Sequence, residues 1–310
     1  MILLNTSTAA PYLCNRTGVN VSQWAIKSLG GGVSNEVLLA EAPGKRWVLK
    51  QARPRLRVQE EWLADPARIR REAAALRLFA SVLPPGAAPA VVFEDPENYI
   101  FAMEAAPADF TDWKSLLLRG VCEPAHAREA ARLFRAMVSW RGDGAEFADQ
   151  HCFDQLRLDP YYRFTASRHR DLSSAFEEAI ACCRQGKALV HGDFSPKNLL
   201  VASNRIILID CEVIHWGDPS FDAAFLLNHL LLKMAHGLAG CRALALLFWK
   251  EIRDLVDERA TLLHLGCLHL ARVDGKSPAE YLTGEEREHV RRKARQMIVS
   301  PPKTMEEAFQ

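Results

Sequence analysis

Through the first hundred residues, apolar positions fall in short β-rich runs broken by turn residues. Trp24 to Leu29 is such a run and leads into Gly30-Gly31-Gly32. Val37-Leu38-Leu39 and Trp47-Val48-Leu49 follow, and Pro43-Gly44 between them predicts a hairpin turn. Asp65-Pro66 reads as an N-cap followed by proline at the first helical position, so a helix is expected to about Ala80. Leu83-Pro84-Pro85-Gly86 stops it, and Ala90 to Phe93 and Tyr99 to Met103 read as two more strands. One helix among strands is therefore expected in this part of the chain.

Beyond Glu104 the period changes. Ala105-Ala106-Pro107-Ala108 resembles a short linker, after which Ala127, Ala130, Ala131, Phe134 and Val138 share one helical face. Asp171 to Cys183 and most of Asp218 to Leu270 also follow a helical pattern. The exception is Leu189 to Ile209, where strand-like runs flank a loop and Ser203-Asn204 turns the chain back. The expected fold class is α+β with two lobes: a small β-rich lobe at 1–104 and a larger, mainly helical lobe at 105–310 with a hairpin set into it.

Composition narrows the function classes. Of 310 residues, 49% are apolar and 25% charged, which excludes a disordered or fibrous chain. The formal charge of +1 argues against a dedicated nucleic-acid binder, which carries a basic surplus. The eight cysteines form no CxxC pair and offer no zinc spacing. Met1 to Cys14 lacks the basic start and apolar core of a secretory signal. Phe221 to Trp249 is the most hydrophobic stretch, but Asp222, Asn228, His229, Lys233, His236 and Arg242 interrupt it, so no membrane span is expected. A reduced, cytoplasmic, soluble protein is the expectation.

The strongest chemical signal is His191-Gly192-Asp193-Phe194-Ser195-Pro196-Lys197-Asn198, followed by Asp210 after the apolar run Ile206 to Ile209. Asp193 and Asn198 are five apart, and Asp210 lies twelve beyond Asn198. In a strand–loop–strand this spacing gathers the three side chains into one corner. Phosphoryl transfer from ATP needs such a corner: one carboxylate orients the attacking hydroxyl, and hard oxygen ligands hold magnesium on the phosphates. Glu212 is two residues beyond Asp210 and, on an extended segment, points the same way.

These residues resemble the aminoglycoside phosphotransferases and their relatives, the choline and methylthioribose kinases, which share the protein-kinase-like fold. The resemblance spans about residues 24 to 285. It implies Asp193 as the catalytic aspartate, with Asn198 and Asp210 as magnesium ligands. Asp-x-Glu at 210–212 looks like the methylthioribose kinase pattern, in which Glu212 also serves the metal. ATP and magnesium are the implied cofactors, and a small hydroxyl-bearing molecule is the implied partner. Relatives of the methylthioribose kinase type can dimerise, so a homodimer is also an expectation.

The N-terminal lobe adds to this. Lys50 ends a strand-like run eighteen residues after Gly32, as expected for a lysine on the α/β-phosphates. Ile69, Glu72, Leu76 and Phe79 share a helical stripe, so Glu72 sits among apolar neighbours and needs a partner. The fold predicts Lys50; the local alternative is Arg68, four residues earlier. Gly31, Gly32, Ser34 and Asn35 would form the phosphate-covering loop, although Gly30-Gly31-Gly32-Val33-Ser34-Asn35 departs from GxGxxG. Backbone groups around Glu104 and Ala106 would hold adenine. His191 reads as a prop for the loop, and Asp222 as an acid bracing it from behind.

The acceptor is expected in a cleft between this loop and the helical stretches 105–170 and 215–275. Arg157, Arg163, Arg168 and Arg170 crowd one wall, answered by Asp154, Asp159 and Asp171, so the wall is mixed rather than acidic. That disfavours polycationic aminoglycosides. Tyr161, Tyr162, His215 and Trp216 are candidates to stack on a sugar, or else core aromatics. Arg272-Val273-Asp274-Gly275-Lys276-Ser277-Pro278 stands out as a motif to which the sequence attaches no role. Two other functions stay open at this stage: a nucleotide- or metabolite-binding regulator without catalysis, and metal-dependent hydrolysis using His191, Asp193 and His215.

Overall fold

Alternation along the strands decides which side chains face the site. In the computed structural model, which describes residues 2–30, 34–57 and 62–310, the first lobe is an antiparallel sheet of five strands ordered β1-β2-β3-β5-β4. The strands are β1 (Ala25–Ser28), β2 (Asn35–Ala42), β3 (Lys45–Ala52), β4 (Val91–Asp95) and β5 (Ile100–Glu104). Gly44, at φ 70°, makes the β2–β3 turn that Pro43-Gly44 predicts. On β3, Val48 and Ala52 point into the main core and Leu49 into a second, smaller one. Lys50 therefore shares the inner face with Val48, opposite Phe101 of β5.

The outer face is covered by a helix absent from the sequence reading, α1 (Ala9–Thr17), whose Ala9, Ala10 and Leu13 pack on Leu38, Leu49 and Ala102. Its nine residues make too short a helix to be recognised without the sheet they cover. The inner face meets α2 (Arg68–Val82), which buries Ile69, Glu72, Leu76 and Phe79. This helix starts later than its cap signal implies. Asp65 accepts from the Ala67 amide at 2.9 Å, so it closes a turn ahead of the helix rather than capping it.

After Glu104 a two-residue strand, β6 (Thr111–Asp112), precedes α3 (Trp113–Leu118) and α4 (Pro124–Ser139). A single turn, α5 (His151–Phe153), widens into a π-helical segment at Asp154–Arg163 and re-tightens as α6 (Phe164–Arg168). Next come α7 (Ser173–Cys183) and the short strands β7 (Ala188–Val190), β8 (Leu199–Ala202), β9 (Arg205–Leu208) and β10 (His215–Gly217). β7 pairs with β10, and β8 with β6 and β9. The chain continues through α8 (Ser220–Ala235), α9 (Cys241–Ile252), α10 (Glu258–Asp274), α11 (Gly284–Val299) and α12 (Met305–Ala308). α8 is buried from Ser220 to Lys233, as a helix apolar on all sides must be. It is the axis against which α9 and α10 pack. None of the described helices is long and apolar enough to cross a membrane.

Candidate active site

The loop after β7 is held from behind. Asp222, in the first turn of α8, accepts from the His191 and Gly192 amides at 2.6 and 2.9 Å. Gly192 has φ 77°, and a Cβ there would lie 2.9 Å from both the carbonyl oxygen and Cγ2 of Val213. Glycine is thus required by backbone conformation and by space. The His191 ring accepts at Nδ1 from the Asp193 amide, 3.1 Å, and donates from Nε2 to the Ile209 carbonyl, 3.1 Å. It is neutral in this arrangement, and burial pushes its pKa down to about 4. Asn198 donates from Nδ2 to the Asp193 carbonyl at 2.9 Å, which orients its amide and leaves Oδ1 to other partners.

Asp193 is buried, with Arg157 Nη2 2.7 Å and Lys197 Nζ 3.2 Å from its Oδ2. The Arg157 contact is a charge pair without hydrogen-bond alignment, so buried Oδ2 keeps its acceptor capacity. Burial works against ionisation here, but Arg157 and then Lys197 outweigh it and hold the carboxyl below its ordinary pKa. Arg157 is itself fixed by donating from Nε to the Gly192 carbonyl at 2.8 Å. The π-helical widening of its segment carries Arg157 to the loop. Such local widenings are frequent at functional sites.

Across the corner, Lys50 Nζ lies 2.7 Å from both Glu72 oxygens and 2.7 Å from Asp210 Oδ1. The pairing of Glu72 with Lys50 rather than Arg68 is thereby resolved. Burial works to lower the Lys50 pKa, but Asp210 and Glu72 overcome it and hold the ammonium above its ordinary value. Asp210 is held below the usual carboxylate range, Lys50 and Lys197 outweighing burial. Its backbone is left-handed, φ 68°, a conformation that costs a non-glycine residue on the order of 1–3 kcal/mol and is sustained here by the surrounding contacts. Glu72, Asp210 and Glu212 present carboxylate oxygens that all lie within 4.8 Å of one another.

Arg68 has a different task. Its Nε donates to Glu212 Oε2 at 2.9 Å, and its Nη2 to the Ser34 carbonyl at 2.6 Å. Asn35 Nδ2 also donates to Glu212 Oε2, at 3.0 Å. Glu212 is thus tied through Oε2 to Asn35 of β2 and to Arg68, which also holds the Ser34 carbonyl, and its other oxygen takes no part in these bonds. Gly31 and Gly32 lie outside the described residues. At the hinge, the Glu104 amide donates to Ala90 O at 2.9 Å, and Arg46 donates to the Ala106 carbonyl.

Asp193, Asn198, Lys50, Glu72, Asp210, Glu212, Ser34 and Asn35 are thus brought around one corner, whereas Glu104 and Ala106 stand at the end of β5. Sequence reasoning left out the roles of Arg68, Arg157 and Lys197. Only Lys197 carried a local signal, four residues from Asp193. Of the expected aromatics, Tyr162 bonds His264 at 2.7 Å, His215 stacks on Phe153 at 3.9 Å, and Trp216 packs on Trp140. Tyr162 and His215 are core residues, and Trp216 packs half-buried against the core. Tyr161 alone lies beside the corner.

A small antiparallel lobe, a helical lobe and this arrangement between them define a small-molecule kinase with the protein-kinase-like fold. Residues 25–237 match the phosphotransferase enzyme family known as APH, and the chain belongs to that family. It is 28% identical over 281 residues to a methylthioribose kinase of Pectobacterium atrosepticum, covering 78% of this chain and 70% of that one. Among solved structures, a thermostable mutant of aminoglycoside phosphotransferase APH(4)-Ia, in ternary complex with AMP-PNP and hygromycin B, is similar with a TM-score of 0.59 at 16% identity, covering 96% of this chain and all (100%) of that one. Choline kinase from Cryptosporidium parvum is similar with a TM-score of 0.57 at 14% identity, covering 99% and 100%.

Proposed function

We propose that this protein transfers the γ-phosphate of ATP, with magnesium, to a hydroxyl of a small molecule such as a sugar, an amino alcohol or an aminoglycoside-like compound. In this proposal residues 1–104 form the nucleotide lobe and 105–310 the catalytic and acceptor lobe. The observation that carries it is the buried Asp193 carboxylate, held ionised beside Arg157 and Lys197, in the same corner as the Lys50–Glu72–Asp210 cluster.

The donor set suits magnesium, which prefers hard oxygens: Asp210, Glu212 and Asn198 Oδ1, in a corner whose carboxylates are here offset by Lys50, Arg68, Arg157 and Lys197. Bound there, magnesium would neutralise charge on the phosphates. Lys50 holds the α/β-phosphates and Glu72 fixes Lys50. Ser34 and Asn35, with Gly31 and Gly32, cover the phosphates, while Glu104 and Ala106 offer backbone groups to adenine. Asp193 orients the acceptor hydroxyl and takes its proton as the new O–P bond forms and the bond from the γ-phosphorus to ADP breaks. A carboxylate of low pKa serves here because positioning and charge stabilisation dominate this chemistry.

Asp193→Asn tests the assignment. It is expected to abolish acceptor-dependent ADP release while leaving nucleotide affinity, measured by calorimetry, unchanged. Normal turnover in that variant would overturn it. Methylthioribose, which the name of the bacterial relative gives as its acceptor, belongs in the first panel.

A further inference from the structure

The segment 272–278, silent in sequence, stands beside the catalytic loop. Arg272 ends α10 and donates through Nη1 to the Ser277 carbonyl, to Ser277 Oγ at 2.9 Å and to the Tyr161 hydroxyl at 3.3 Å. Gly275 permits that turn, since a Cβ would meet the Ala271 carbonyl at 2.5 Å and Pro160 O at 3.1 Å. The Tyr161 ring lies between two guanidinium groups, with Arg272 Cζ at 6.0 Å and Arg157 Cζ at 5.9 Å from its centroid. Arg157 in turn touches Asp193. One ring therefore separates Arg272 from the arginine on the catalytic carboxylate.

A second basic group, Lys233, lies within electrostatic range of Arg272: burial first, then Lys114 and Arg272, push its pKa down to about 7. Lys233 of α8 is fully buried, and its ammonium bonds the His229 carbonyl at 3.3 Å and lies 5.4 Å from the Tyr281 ring. His229 lies amid the cations: burial first, then the charges of Arg272, Lys233 and Lys197, hold its pKa well below the ordinary value. The carboxylates joined to this cluster are already engaged, Asp193 by Arg157 and Glu280 by Lys114. Among the described residues Arg272 and Lys233 have no carboxylate partner. Arg272 Nε and the Tyr281 hydroxyl are buried without any hydrogen-bond partner.

A buried cation without a counter-ion costs several kcal/mol, and a polar donor left unmade adds to that. A ligand anion entering between these groups offsets both through charge-assisted hydrogen bonds. We infer that the phosphate acceptor carries an anionic group, a carboxylate or a phosphate, which docks on Arg272 and Lys233 while its hydroxyl meets Asp193. The inference rests on the kinase reading above and adds the acceptor's charge to it. It also makes polycationic acceptors a poor fit.

The test uses matched acceptors: glycerol, glycerate and glycerol 3-phosphate; ribose, ribonate and ribose 5-phosphate; with choline and methylthioribose as cationic and neutral references. Calorimetry on the full chain without nucleotide reads binding, and ADP release reads turnover. An acidic member of one set is expected to bind about tenfold or more tightly than its neutral counterpart, about 1.4 kcal/mol. That preference is expected to vanish in Arg272→Gln and in Lys233→Met, with KM raised, kcat little changed and ADP affinity unchanged. Whether the carboxylate or the phosphate member binds identifies the anion. Lys233→Met should also unfold at a higher temperature, because it removes a buried amine that folding forces either to stay charged without a carboxylate or to give up its proton, and this separates lost binding from lost folding. Equal affinity for neutral members, turnover of choline or methylthioribose in preference, or an anion preference surviving both substitutions would overturn the inference. Anion binding without ADP release from any acceptor would instead overturn the kinase reading, and with it the acceptor role.

Discussion

Removing the guanidinium of Arg68 takes away the cation that pairs with Glu212 among the described residues. The side chain is fully shielded, and besides Glu212 it serves the carbonyls of Ser34, Arg53 and Asp65 at 2.6, 3.0 and 3.0 Å. Arg68→Met therefore leaves the Glu212 carboxylate buried with the Asn35 amide at 3.0 Å as its remaining partner. Breaking a buried pair in this way costs about 3–5 kcal/mol. Unfolding entropy of about 2.1 cal/mol/K per residue over 310 residues turns that into a Tm lower by about 5–8 °C. Pairing it with Glu212→Gln in a double-mutant cycle isolates the interaction. The double variant is expected to be more stable than the sum of the single effects by about 1–3 kcal/mol. Denaturant titration of the four proteins supplies the numbers, and additivity within about 0.5 kcal/mol would refute the coupling.

Stability should also fall on acidification below neutral pH. Burial holds His215, His264 and His269 at about 3, 4 and 3, against an ordinary value of about 6.5. Their folded pKa is depressed, so the native state binds fewer protons than the unfolded chain. The stability they contribute is present above about pH 6.5 and is lost as pH falls towards 4, at about 1.4 kcal/mol per pH unit for each ring that stays neutral. Urea midpoints at pH 7, 6 and 5 check this, and a flat profile would sink it. Gly192→Ala is expected to lose at least about 1–2 kcal/mol, from the left-handed backbone and the approach to Val213, together with most activity. Wild-type stability and turnover in that variant would contradict the role given to the loop's glycine.

Much of the local architecture was legible. The hairpin was announced by Pro43-Gly44, the inner face of α2 by the spacing of Ile69, Glu72, Leu76 and Phe79, and the strand–loop–strand by apolar runs on either side of 191–198. α1 was not, because a helix of nine residues becomes recognisable only against the sheet it covers. The mixed wall expected at 154–171 does hold paired charges, though in part with partners that the sequence did not name. Arg163 pairs with Asp154, Asp159 with Lys276 and Asp171 with Arg295, while Arg157 reaches the loop at 191–198.

By itself, the sequence determined what depends on neighbours along the chain: periodicities of two and 3.6, turn residues, and the spacing of Asp193, Asn198, Asp210 and Glu212. Tertiary structure alone decided which charges meet. Arg68 and Glu212 are 144 residues apart, Arg272 and Tyr161 are 111 apart, and Lys50 and Asp210 are 160 apart. No local pattern encodes such pairings, because their energies arise only when packing has excluded water and a charge must find its partner nearby. The same exclusion leaves Arg272 and Lys233 without a carboxylate partner among the described residues, a property of the fold that neither residue shows in the chain.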